Sequence, residues 1–299
     1  MDDFTERLAR HATRVEETLA QVLDDQAGVP ERLGDAMRHA VMGGGKRFRP
    51  VLVLESAQLF DVGPENALRV AAALELVHCY SLVHDDLPAM DNDRLRRGRP
   101  TVWVAFDDWT AILAGDALLT LAFEVLSDPR VHPAPAVRGE LVAALAKAAG
   151  AAGMVGGQTL DLMADKLGEP GAPTLAHIQL LQAMKTGALI RFGAEAGAIL
   201  GEADDAGRRA LAAFGDKLGV VFQIADDLLD VTSDAATLGK ATGKDAAHGK
   251  ATQVSLMGID EARETLDGLA RAAIADLAPF GERAHVLAAA VRFAAERRN

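Results

Sequence analysis

The chain is poor in cysteine, in aromatic residues and in uninterrupted apolar runs, and each shortage removes a class of protein. Cys79 is the only cysteine among 299 residues, so no internal disulfide can form and a reducing compartment fits. Aromatic residues make up 4% of the chain, with a single tyrosine. Alanine, leucine and valine carry the apolar content instead, a mix that favours packing helices over β-sandwiches. No apolar stretch of membrane-spanning length runs free of charge, because Arg69 and Glu75 interrupt one candidate and Lys147 another. Positive charge is in deficit too. A formal net charge of -12 repels nucleic acid and anionic membranes unless bases are gathered locally. The first residues, Met1-Asp2-Asp3-Phe4, are acidic and lack a signal-peptide pattern. The expectation is a cytoplasmic protein with no nucleic-acid partner and no stable membrane insertion.

What remains reads as helix after helix. From Phe4 to Leu23 the spacing puts Leu8, Val15, Leu19 and Val22 on one face. Pro30-Glu31 opens a second helix, Gly43-Gly44-Gly45 ends it, and Arg49-Pro50 begins the next. Residues 65–84 form a mostly apolar helix that should be buried on most sides. Further helices are predicted over 116–126, 138–167, 174–200, 204–231 and 260–277. There is no convincing strand, repeat or low-complexity linker. The reading is one all-α domain over 1–299, a helical bundle larger than a four-helix bundle.

Adjacent aspartates are common here, so a pair alone means little. Asp107-Asp108 and Asp204-Asp205 precede predicted helices and read as caps or first-turn acids. Two clusters differ. In Phe222-Gln223-Ile224-Ala225-Asp226-Asp227-Leu228-Leu229-Asp230 the acids come late in an apolar helix. Asp226 and Asp230 share a face, roughly 6 Å apart along the axis, where like charges repel. A helix C-terminus is also the wrong end for negative charge, so a compensating cation is needed. Hard oxygen donors with open positions suit Mg²⁺, which shares substrate phosphates. The other cluster is His84-Asp85-Asp86-Leu87-Pro88-Ala89-Met90-Asp91. Asp85 and Asp91 would not align on a regular helix, but Pro88 disturbs it and a bulge can return Asp91 to the face of Asp85.

In a chain of this acidity, local bases are informative. Gly43-Gly44-Gly45-Lys46-Arg47-Phe48-Arg49 joins glycine amides to three cations at a helix start, a candidate phosphate cradle. Asn92-Asp93-Arg94-Leu95-Arg96-Arg97-Gly98-Arg99 follows the first acid cluster directly, and guanidinium forks bind phosphate bidentately. Lys240, Lys244 and Lys250 follow the second. Acids that hold Mg²⁺ beside bases that hold phosphate describe a diphosphate site, and the arrangement occurs twice.

With these residues in hand, the chain resembles the trans-isoprenyl diphosphate synthases, most closely their bacterial farnesyl-forming members. The matching stretches are GGGKRFRP (43–50), HCYSLVHDDLPAMDNDRLRRGRPT (78–101), AILAGDAL (111–118), GGQTLDL (156–162), KTGALI (185–190), FQIADDLLD (222–230), LGKATGKD (238–245) and GKAT (249–252). The resemblance implies an all-α fold of about ten to thirteen helices around a deep cavity, and a homodimer. It implies Mg²⁺, three ions per active site, with Asp85, Asp91 and Asp226 as ligands and Asp86 and Asp230 in support. Lys46, Arg49, His78 and Arg97 would hold isopentenyl diphosphate, and Arg96, Lys185, Lys240 and Lys250 the allylic diphosphate. Thr186 and Gln223 would set oxygens near the developing cation, with Lys185 part of that catalytic group. Leu74, Val77 and Ser81 would line the tunnel for the prenyl tail, and Tyr80, with Ser81, would limit product length to fifteen carbons. Arg94 stands where many relatives carry another aspartate. The implied activity is Mg²⁺-dependent condensation of isopentenyl diphosphate with dimethylallyl and geranyl diphosphates.

Other readings are the same chemistry with a twenty-carbon product, a class I terpene cyclase, a non-catalytic partner subunit and a helical metal-binding scaffold. A cyclase lacks the Lys46–Arg49 site and pairs its acid motif with an Asn/Ser/Glu motif. A non-catalytic subunit loses an acid cluster. Both clusters and the basic site are present here.

Overall fold

A computed structural model describes residues 2–167, 174–236 and 252–296. The described residues are helical almost throughout, as expected. By packing, the chain divides into two compact units, one of residues 2–144 and 196–202, the other of residues 145–195 and 203 onward.

The first unit is built on α4 (Pro64–Asp85). Gly63-Pro64 starts it, with proline in the first turn where its missing N–H costs nothing. The run from Val70 to Val77 is almost wholly excluded from solvent, Leu74 and Val77 included, because the helix has no polar face to turn outward. It is flanked by α1 (Asp2–Asp24), α2 (Glu31–Val41), α3 (Phe48–Gln58) and α6 (Asp108–Ser127). Leu8, Val15, Leu19 and Val22 of α1 are buried together, as their spacing requires. Glu55 of α3 is buried and accepts from Arg7 Nε at 2.6 Å, with His11 Nε2 also at 2.6 Å. Burial pushes the Glu55 carboxyl up, but His11 and Arg7 outweigh it and hold it below the usual range. The α6 helix starts where sequence suggests a cap: Asp107 accepts the Thr110 N–H at 2.8 Å. It is longer than predicted, and it is the one described helix whose length and apolarity would suffice to cross a membrane; half of that stretch is buried within the protein.

The first unit also contains strands, which sequence reading missed. β1 (Leu95–Arg96) and β2 (Arg99–Pro100) pair antiparallel through a two-residue turn. Both turn residues have positive φ, 53° at Arg97 and 75° at Gly98, the geometry that matches strand twist in a tight hairpin. A single turn of helix, α5 (Val102–Ala105), leads on to α6, and α7 (Pro135–Ala149) follows it.

In the second unit α8 (Met154–Leu167) is separate from α7, correcting the single helix expected over 138–167. Gly150 and Gly153 close a turn between them, with Gly153 N–H on the Gly150 carbonyl at 2.9 Å; glycine is a poor helix former and permits the break. Between α9 (Leu175–Gln182) and α10 (Ala188–Leu200) the helix widens into a π-turn, Ala183–Gly187. The central helix is α11 (Asp205–Ala236), 32 residues long, with Phe214, Leu218 and Val221 fully buried. Asp204 caps it by accepting the Gly207 N–H at 2.8 Å. A short α12 (Gln253–Met257) precedes α13 (Ile259–Asp276) and α14 (His285–Ala295), which pack on α11. Lys217 on α11 meets Asp276 at 2.5 Å.

Candidate active site

The first acid cluster lies where α4 ends. Asp85 is its last helical residue and Asp86 the C-cap. The chain then bulges through Leu87–Met90 and returns, so that Asp91 N–H donates to the Asp85 carbonyl at 2.8 Å. The backbone closure expected from Pro88 therefore forms. Asp85 is half-buried and Asp91 exposed. Asp86 differs from both. It is buried, and Arg96 grips it with Nε at 2.8 Å and Nη2 at 2.5 Å. Burial lifts the Asp86 carboxyl above its ordinary range against the pull of Arg96. One sequence-derived metal candidate and one sequence-derived diphosphate ligand are thus each other's partner.

Around His78 the structure gathers positive charge. Burial first, then the charges of Arg49, Arg97, Arg47 and Arg96, push the imidazole well below its usual pKa, so it is neutral at working pH. Lys46 is exposed and Arg49 half-buried. Arg97, at the hairpin tip, donates to the Gly44 carbonyl. Its guanidinium fills the space that a Cβ on Gly45 would need, and Gly45 itself has φ +135°. The glycines therefore serve Arg97 as well as the turn. Beside this recess a small cavity is lined by His39, Cys79, Leu82, Arg96 and Arg99. Arg94, the departure noted in sequence, lies over the Trp103 ring at 5.3 Å. This is a cation–π contact that explains the residue without a ligand.

Tyr80 is buried, with its ring edge-on to His84 at 5.8 Å. Burial and the nearby Asp85 charge push its hydroxyl up to about 12. His84 Nε2 meets the Ile112 carbonyl of α6 at 3.0 Å, in a niche that any side chain at Gly115 would close. Ser81 donates back to the His78 carbonyl at 2.9 Å.

In the second unit, Gly219, Gln223, Asp226 and Asp230 fall on one stripe of α11 at intervals of four, three and four. Asp226 and Asp230 are exposed and Gln223 half-buried. Asp227 is buried and accepts from Gln182 Nε2 at 3.3 Å and from Gln253 N–H at 3.1 Å, which ties α11 to α9 and α12. A Cβ on Gly219 would stand 2.9 Å from Gly187 Cα, so the stripe abuts the π-turn carrying Lys185 and Thr186. Lys185 Nζ donates to Asp161 Oδ2 at 2.6 Å. Glycine at 157 lets α8 touch the Lys185 backbone. The acid cluster is not at a helix end, because α11 runs on to Ala236; the dipole argument for this cluster fails, and the one-face spacing is what stands. Lys240, Lys244 and Lys250 lie outside the described residues.

Among the described residues, no three histidine, cysteine or acidic side chains converge in a protein-only metal site. Pairs of accessible carboxylates fit Mg²⁺, which completes its shell with water and phosphate. Sequence reading assigned no role to Asp161, which positions Lys185, although its spacing from Gly157 is one helical turn. It gave Arg47 no role beyond its place among the three cations of that segment; the structure buries it.

Residues 30–280 match the family model for polyprenyl synthetase, and the chain belongs to that family. It is 42% identical over 255 residues to a farnesyl diphosphate synthase of Geobacillus stearothermophilus, covering 84% of each chain. It is 40% identical over 278 residues to a chloroplastic geranylgeranyl pyrophosphate synthase of Catharanthus roseus, covering 90% of this chain and 75% of that one. A solved FPP/GFPP synthase structure from Zymomonas mobilis superposes with a TM-score of 0.86 at 45% identity, covering 97% of this chain and 98% of the other.

Proposed function

We propose that the protein is a prenyltransferase that condenses isopentenyl diphosphate with dimethylallyl and then geranyl diphosphate to give farnesyl diphosphate. The observation that carries this reading is the group of arginines, 47, 49, 96 and 97, whose charge acts on His78 beside the Asp85–Asp91 turn: positive charge next to accessible oxygen donors. Lys46, Arg49, Arg97 and the neutral His78 hold the isopentenyl diphosphate. Arg96, set by Asp86, and Lys185, set by Asp161, hold the allylic diphosphate together with Lys240 and Lys250. Asp85, Asp91, Asp226 and Asp230 would hold Mg²⁺, three ions in this reading, with Asp86 in support through Arg96. Mg²⁺ held there would supply the positive charge that turns the allylic diphosphate into a leaving group. As its C–O bond breaks, the Thr186 hydroxyl and the Gln223 side-chain carbonyl would supply oxygens to stabilise the cation. The isopentenyl double bond attacks that cation, and a proton is lost. His84 is engaged by α6 and His78 sits among arginines that weaken its basicity, so the released diphosphate takes the proton.

Tyr80, buried below Asp85 on the same helix, is the proposed floor for the prenyl tail. The twenty-carbon reading stays alongside, because a geranylgeranyl-forming relative matches at 40% identity. Supplying Mg²⁺, isopentenyl diphosphate and dimethylallyl diphosphate and sizing the products tests both. A fifteen-carbon product is expected; no condensation product at all would refute the function, and a twenty-carbon one would move the floor.

The family match spans both units, which supports reading 1–299 as one catalytic domain. We also propose a cytoplasmic homodimer. Trp109, Ile112 and Leu113 on α6 are about half exposed, at 57%, 44% and 48%, an apolar row that a second copy would cover.

A further inference from the structure

We propose that Arg47 and Glu75 are positioning residues for isopentenyl diphosphate, locking the segment that bears Lys46 and Arg49 to the helix that bears His78. The inference rests on the function proposed above. Lys46 is exposed and Arg49 half-buried, but the Arg47 side chain between them is wholly buried, with 0% exposure. A buried guanidinium is costly unless every partner is well placed, and an apolar pair of similar volume often serves stability as well or better. Arg47 also sits at φ 48°, a left-handed backbone that a non-glycine residue adopts at some cost. Two costs at one residue call for a return other than stability.

The partners show what is gained. Arg47 Nη1 donates to Glu75 Oε1 at 2.6 Å, and Nη2 donates to the last α2 carbonyl, Val41 O, at 2.7 Å and to Glu16 of α1 at 3.3 Å. Glu75 is itself buried, and it stands one helical turn before His78 on α4. One side chain therefore ties the 43–49 segment to three helices. Lys46 and Arg49 flank Arg47 in that segment, and Gly44 in the same segment accepts from Arg97. Three of the four proposed diphosphate ligands take their position from a segment whose anchor is Arg47, and the fourth follows Glu75 by one turn.

The test uses the full-length R47M/E75M double variant, with E75Q as a second variant that keeps the shape of the pair. Steady-state KM is measured for each substrate, melting temperature is recorded, and amide hydrogen exchange is followed in residues 43–49. We expect KM for isopentenyl diphosphate to rise about tenfold and KM for geranyl diphosphate to move less than about threefold, with faster exchange in 43–49. The methionine pair should melt near the wild-type temperature. Equal shifts in both KM values, or wild-type exchange in 43–49, would overturn the proposal and leave an ordinary core ion pair. If the double variant does not fold, E75Q gives the same readouts. Exchange needs no substrate, so a wild type that fails to condense anything would sink the function while the tether is still judged.

Discussion

Replacing Asp86 with asparagine separates two roles that sequence alone cannot. As a direct Mg²⁺ ligand, Asp86 would support the ionisation step, and its loss would remove several kcal/mol of charge stabilisation. In the structure its carboxylate is instead filled by Arg96, through Nε and Nη2, at 2.8 and 2.5 Å. That leaves the Nη1 side of the guanidinium for a phosphate. The pair acts by holding Arg96 ready. Arg96 is one-third exposed, so solvent softens the interaction and the lower part of the range for such bonds applies. The amide oxygen introduced by Asp86→Asn can still accept one bond, so the main loss is the cost of immobilising a free arginine on binding, about 0.5–1.5 kcal/mol. KM for the allylic diphosphate should therefore rise about two- to twelvefold, with the Mg²⁺ concentration for half-maximal rate unchanged. Initial rates over a grid of Mg²⁺ and geranyl diphosphate measure both. A shift of more than about tenfold in the Mg²⁺ requirement would refute the reasoning and return Asp86 to the metal.

Asp85→Ala and Asp226→Ala should each lower turnover by orders of magnitude while circular dichroism stays native; near-normal turnover in either would remove it from the metal set. Tyr80→Ala should release diphosphates of twenty carbons or more, at a stability cost of about 3–5 kcal/mol for the ring-sized cavity; an unchanged product profile would put the floor elsewhere. His78 is held neutral in the fold but is protonated in the unfolded chain below about pH 6.5, so the unfolded state binds the extra proton and stability falls as pH drops through that value. Urea titrations across pH 5–8, as a practical range of about three units, should show a shallower fall for His78→Gln; equal slopes would mean that burial and the surrounding arginines do not hold this ring neutral. Gly157→Ala would drive a methyl into the Lys185 backbone, so we expect lower stability and weaker allylic binding together; a variant with wild-type melting and KM would contradict the close contact.

Much of this was legible because it depends on spacing. The α1 face, the Asp107 and Asp204 caps and the apolar α4 follow from local periodicity and capping chemistry. Asp226 and Asp230 were found through their four-residue interval, although the helix continues past them. What escaped depends on partners distant in sequence. Nothing local to Lys46-Arg47-Phe48-Arg49 says that the middle cation is buried, because Glu75 and Glu16 decide that. The π-turn at Ala183–Gly187 leaves no mark on helical periodicity coarse enough to read, and it is Gly157 and Gly219 that meet it. The hairpin was missed because arginine, rather than asparagine or aspartate, occupies its first left-handed position.

That arginine carries a genetic consequence. The head of Arg97 occupies the volume directly above Gly45, so a side chain at 45 would displace it from that position. The two positions are therefore coupled. A lone change at 45 should behave like the loss of Arg97, with the strain of a side chain at φ +135° added to it. Measured as KM for isopentenyl diphosphate, Gly45→Ala and Arg97→Ala should cost similar factors and the double variant little more than either; fully additive losses would show that position 45 does not act through the guanidinium.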